Sequence, residues 1–183
     1  MAIERKKFFP VHIDLINKDI ELIGTNIESL GNRFLKIDLT PELKGKSIEI
    51  RLKTIVRNEK IDTEVLQIKL LGSYIRRMMN KGTNYIENSY FINCKDEFLQ
   101  VKQLLITRRK VQRKVRSALK IAAEKEFIEY AKDKKFEDLV LDIINNKVQK
   151  EISLKLKKIY PLSLCEIKFL SKEDSKKHKE NKE

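Results

Sequence analysis

The spacing of apolar residues changes partway along this 183-residue chain, and that change limits what it can fold into. In the first half, apolar side chains fall on alternate positions. Leu35, Ile37 and Leu39 alternate with Lys36 and Asp38, and Ile48, Ile50 and Leu52 alternate with Glu49, Arg51 and Lys53. Successive strand side chains point to opposite faces, so this pattern predicts an antiparallel sheet with one dry face and one wet face. From Val111 the period becomes four. Val111, Val115, Leu119, Ala123 and Phe127 recur, reinforced by Ala118 and Ala122. That spacing lines one face of a helix. Strands followed by helices make an α+β chain, long enough to bury a sizeable core.

The expected organisation is a single α+β domain over 1–170, strand-rich over 8–107 and helix-rich over 108–158, with a final strand at 163–170. Strands are predicted at 33–39 and from 48, where Thr40-Pro41 and Lys44-Gly45-Lys46 mark the turn between them. Polar residues 57–62 break the second run, and Val65–Leu70 resumes it. Gly72–Lys81 reads as a short helix capped by Ser73 and ended by Gly82. Strands over 85–93 and 97–107 form a hairpin. The helices are expected over 108–132, around Phe136–Ile144, and from Val148 to before Pro161, with Asn145-Asn146 interrupting the last two. Residues 171–183 hold five Lys and four acids with nothing apolar, and read as a disordered charged tail.

Charge narrows the function. The net charge is +13. Residues 1–100 hold 17 basic against 14 acidic side chains, and residues 101–183 hold 23 against 13. Within 108–120 stand Arg108, Arg109, Lys110, Arg113, Lys114, Arg116 and Lys120, with no acid among them. Arg109, Arg113, Arg116 and Lys120 step by four, three and four, each two positions before an apolar stripe residue. Two positions are about 200° of helix, so the row is expected to point away from the core. A rigid cationic row suits phosphates, because each neutralised phosphate releases condensed counterions. A solvated face normally mixes signs instead. Arg5, Lys6 and Lys7 form a candidate basic arm, and Arg76, Arg77 and Lys81 a candidate extension of the patch. Phe8, Phe9, Tyr74, Tyr85, Tyr90 and Tyr130 are candidates for base stacking, although strand aromatics are more often core.

Other chemistries find little support. His12 and His178 are the only histidines, and no Cys/His cluster has zinc spacing. The five glycines are scattered, so no phosphate cradle forms, and no nucleophile–base set is evident. Cys94 and Cys165 have no neighbouring Cys or His and read as isolated buried thiols. No apolar run reaches the roughly 18 residues of a membrane span, and the N-terminus lacks a secretory pattern. The reading is a non-enzyme with no cofactor, no metal, no membrane and no small-molecule substrate.

Several segments in order resemble one family. They are Ile75-Arg76-Arg77-Met78-Met79-Asn80-Lys81-Gly82, Lys95-Asp96-Glu97-Phe98-Leu99, Ile106-Thr107-Arg108-Arg109, Arg113–Leu119, and Lys157-Lys158-Ile159-Tyr160-Pro161-Leu162 before a strand. Together they resemble the archaeal and eukaryotic small-subunit ribosomal protein family called S-three-a-e, or eS-one in the universal naming. The resemblance runs from about Lys7 to Ser171. It implies an N-terminal β-barrel-like antiparallel sheet packed by C-terminal helices. It implies a place on the small-subunit platform near the rRNA 3′ end and the mRNA exit. Partners would be small-subunit rRNA, neighbouring platform proteins and mRNA near the exit, in the cytoplasmic ribosome of an archaeal-type organism. The segment before Ile75 and the junction between Thr107 and Arg113 are shorter than the family's, so some rRNA contacts are expected to be missing or redistributed. A non-ribosomal nucleic-acid-binding protein and an RNA-modifying enzyme are the alternative readings.

Overall fold

The computed structural model describes residues 6–13, 15–43, 45–57 and 60–173. Arg5, Lys44 and residues 174–183 of the expected tail lie outside the described residues. The elements are β1 (Lys7–Ile13), β2 (Lys18–Gly24), a 3-10 turn (Glu28–Leu30), β3 (Phe34–Asp38), β4 (Ile48–Arg57), β5 (Lys60–Leu70), α1 (Gly72–Met78), β6 (Tyr85–Asn93), β7 (Phe98–Thr107), α2 (Arg113–Ala131), α3 (Phe136–Ile144), α4 (Lys147–Leu156) and β8 (Leu162–Lys172). The α+β class follows directly.

β1 and β2 form an antiparallel hairpin, and the other six strands form one antiparallel sheet in the order β3-β4-β5-β8-β7-β6. The strand latest in sequence therefore sits inside the sheet and joins the β3–β5 half to the β6–β7 hairpin. The hydrogen-bonded order ends at β3 and β6, and closure into a barrel is not among its pairings. Register shows why the alternation works. Ile37, Ile50, Ile68, Leu170, Val101 and Tyr90 are paired across all six strands, and residues directly opposite share a face. All but Ile37 are buried, and Ile37 packs against the same core. The helices cover this face. Leu119, Ala123, Phe127 and Ala131 of α2, Leu139, Val140 and Ile143 of α3, and Val148, Ile152 and Leu156 of α4 join one cluster with the strands.

Several boundaries differ from expectation. α1 ends at Met78, and its cap position is Leu71 with no side-chain hydrogen bond, so Ser73 does not cap it. Gly82 adopts φ +83° in the loop that follows rather than closing the helix. Asn146 interrupts α3 and α4 as expected, in the left-handed region that Asn tolerates. The last strand runs two residues beyond Leu170. Ser171 is buried and Lys172 bonds Glu64 and Glu97, so these residues are strand and not tail. β1 and β2 alternate only over short stretches, Val11 and Ile13 about His12, and Ile20 and Leu22 about Glu21. A buried ion pair, Lys46 Nζ to Glu166 Oε2 at 2.7 Å, pins the β3–β4 connection to β8, and Lys46 also donates to Asn146 Oδ1 at 2.7 Å.

Candidate nucleic-acid interface

The basic helix expected from residue 108 begins at Arg113. The cause lies in the turn before it. Thr107 is fully buried, and its hydroxyl donates to the Arg109 carbonyl at 2.7 Å. Asn84 donates its backbone N–H to Thr107 Oγ1 at 2.9 Å and accepts the Thr107 N–H on its carbonyl. Its side-chain Oδ1 accepts the Val111 N–H at 2.7 Å. The chain bends at Arg108 and Arg109, so these residues and Lys110 lie on a pinned loop and not on α2. That loop is fastened to the segment just after Lys81. Two basic stretches far apart in sequence therefore share one end of the β6–β7 hairpin.

The geometry of the row also differs from expectation. The buried stripe of α2 is Leu119, Ala123, Phe127 and Ala131, with Val115 and Ala122 half-buried, and Ala118 is exposed. At 100° per residue, Arg113, Arg116 and Lys120 lie about 60–120° from Leu119. The row flanks the core stripe rather than opposing it. Arg116 is accordingly half-buried, and its Nε is buried without a hydrogen-bond partner. Arg113, Lys114, Lys120, Arg108, Arg109 and Lys110 are exposed, as are Arg76, Arg77 and Lys81.

None of these ten cations forms an ion pair among the described residues, although Lys134, Lys155, Lys168 and Lys172 all do. Arg77 lies 5.6 Å from the Tyr74 ring centre, which makes it a stacked cation rather than a paired one. The face can therefore accept several phosphates without first breaking internal ion pairs.

The N-terminal basic residues lie elsewhere. Lys7 begins β1 opposite Gly24 and lines a surface hollow with Thr25 and Val56, near the β4–β5 hairpin tip. Gln67 of β5 is level with Ser171, whereas Thr107 is level with Leu162. Counted along the strands, the two ends are on the order of 50 Å apart. Lys6 and Lys7 are thus not part of the patch. Among the candidate stacking aromatics, Tyr74 and Tyr90 are core, while Phe8 is exposed. Asn84, which positions the loop, was missed because it reads as an ordinary turn residue after Gly82-Thr83. Only knowing that β6 and β7 pair would mark it.

No group of three or more potential metal ligands is present among the described residues, and no helix is long and apolar enough to cross a membrane. Both cysteines are free, and burial pushes the Cys165 thiol up to about 12 and the Cys94 thiol up to about 11. Cys165 is buried, but Cys94 is half-exposed and lies just beyond β6 rather than within a strand.

Residues 15–171 match the model of the Ribosomal S3Ae family. The small ribosomal subunit protein eS1 of Nanoarchaeum equitans is 29% identical over 186 aligned positions, covering 96% of this chain and 92% of that protein. The protein of the same name from Methanothermobacter thermautotrophicus is 28% identical, covering 71% and 68%. That of Methanobrevibacter smithii is 26% identical, covering 69% and 68%.

Proposed function

The chain belongs to the ribosomal S3Ae family, and from that membership we propose that it binds small-subunit rRNA through the face built by the Asn84-pinned loop and the first half of α2. It is a structural component of the small ribosomal subunit and not an enzyme. The single observation supporting this site is the cluster of ten unpaired cations, which the Asn84 bonds draw from two separate stretches of chain. Arginine predominates, and its planar fork suits phosphate oxygens. The finer reading places the protein on the platform, near the rRNA 3′ end and the mRNA exit. Its neighbours there are other platform proteins and mRNA, in the cytoplasm. Lys6 and Lys7 serve a separate contact at the far end of the molecule.

Salt-dependent binding of full-length chain to small-subunit rRNA tests the site. Replacing Arg109, Arg113 and Lys120 with glutamine should lower affinity strongly and shrink the salt slope by about 0.7 to 0.9 for each phosphate left unneutralised. An unchanged affinity and slope would reduce the patch to a solvated face. Recovery of the protein mainly in the ribosome-free fraction of a gradient would favour a nucleic-acid-binding role outside the ribosome.

A further inference from the structure

The six-stranded sheet has a second face, and register shows what stands on it. Ser89, Lys102, Phe169, Lys69, Glu49 and Asp38 are paired in one row across all six strands. Phe91, Gln100, Ser171, Gln67, Arg51 and Lys36 are paired in the next. Beyond them Phe34 pairs with Lys53, and Asn93 with Phe98. Helices and core occupy the opposite side. A groove of about 680 Å³ crosses this open face, lined by Phe34, Arg51, Lys53, Gln67 and Phe169 among others.

Rings and cations are interleaved here in contact. The Arg51 guanidinium lies 4.6 Å from the Phe34 ring centre, and the Lys102 ammonium 5.4 Å from that of Phe169. Phe34 is 55% exposed. Phe91 and Phe98 stack with centres 5.6 Å apart and planes 3° from parallel. Lys36, Arg51, Lys53, Lys69 and Lys102 form no ion pair among the described residues, and Arg51 Nε is buried without a hydrogen-bond partner. Three of the carboxylates nearby are paired, Glu64 and Glu97 with Lys172 and Glu87 with Lys168, while Asp38 and Glu49 stand at the β3–β4 edge of the face.

We propose that this open sheet face is a second RNA site, a stacking platform for a short single strand, separate from the cationic patch at α2. The chemistry selects the ligand. Exposed rings stack on unpaired bases, which a duplex conceals, while the cations beside Phe34 and Phe169 meet the backbone phosphates. The row from Phe91 to Lys36 spans five strand spacings of about 4.8 Å, or about 24 Å, the reach of a few nucleotides.

The test uses full-length chain and a fluorescein-labelled ten-nucleotide oligouridine RNA, with an RNA duplex of the same length as comparison. Phe34→Ala with Phe169→Leu should weaken oligouridine binding about ten-fold or more, while duplex binding is unchanged. Arg51→Gln with Lys102→Gln keeps the rings and should reduce affinity together with the salt slope. Arg113→Gln with Lys120→Gln should instead weaken the duplex and spare the single strand. Hydrogen exchange of the core strands guards against a folding defect. Equal loss for both RNAs in the ring variant, or no loss for either, overturns the proposal. In assembled small subunits, a photoreactive benzoyl-phenylalanine at position 34 should crosslink to unpaired RNA. Crosslinking to a neighbouring protein there would overturn it in favour of a protein interface.

Discussion

Arg116, on the proposed rRNA face, is a side chain that costs the fold. Its Nε is buried and unpartnered, and a donor in that state carries its desolvation penalty unrelieved, about 1–3 kcal/mol. Arg116→Met keeps most of the stem's packing and removes the orphaned donor. Urea denaturation should therefore find this variant as stable as the native chain or more so, while its rRNA affinity falls. A clear loss of stability would show that the guanidinium is paired in solution. Asp142 works in the opposite sense. Burial alone would raise its carboxyl, but hydrogen bonds from Lys134 and Tyr130 outweigh burial and hold it below the ordinary carboxylate value. A lowered folded value means the ionised form stabilises the fold. That stability is fully present above about pH 4 and is lost as pH falls through the lowered value. Urea midpoints measured between pH 6 and 2 should fall with acid in the native chain, and less steeply in Asp142→Asn. Equal slopes would remove Asp142 from the acid response.

At the scale of elements, the legibility of the sequence followed the strength of local pattern. β6 was readable at both ends because turn residues bound it, Gly82 before and the polar 93–96 link after, although its sequence does not alternate and one of its buried positions is the polar Asn88. The sheet's core row was readable because Ile48, Ile50 and Leu52 keep strict period two. The start of α2 was not, since Val111 falls on the helical period although its N–H is held by Asn84, a bond that depends on tertiary pairing. The same error misdirected the basic row, because counting Val111 and Ala118 as stripe positions rotates the inferred core face away from Leu119. The sheet aromatics were also overlooked: Phe34, Phe91 and Phe169 belong to different strands, and only register brings them onto one face. α2 nonetheless offers a clean separation of scaffold from contact. Leu119→Ala, at a fully buried position, should cost about 2–5 kcal/mol of unfolding free energy. Lys114→Gln, at an exposed one, should stay within about 0.5 kcal/mol. Chemical denaturation of the two variants side by side checks this, and similar losses in both would mean that the helix is not packed through its Leu119 face.

At the scale of the molecule, β8 decides whether the chain is one cooperative body. It is the last strand made, yet it pairs with β5 over residues 67–69 and with β7 along most of its length. Without it, the β3–β5 strands and the β6–β7 hairpin share no ladder. β8 also supplies Leu170, which is fully buried between Ile68 and Val101, and Glu166, which reaches Lys46 at the base of β4. Contacts this distant in sequence form only after a large loop-closure cost has been met, so the two halves are expected to gain full protection together, when β8 inserts. Hydrogen exchange followed through a urea titration should accordingly report one transition for amides of β4 and of β6. Leu170→Ala should move both by the same amount, about 2–5 kcal/mol, because the cavity opens where the halves meet. A chain ending at Pro161 should lose that coincidence, with the β6–β7 hairpin and the β3–β5 strands exchanging at separate rates. If instead the native chain already showed two transitions, or Leu170→Ala moved only one half, then β8 would be a late addition to two independent units, and the single-domain reading of residues 1–170 would fail.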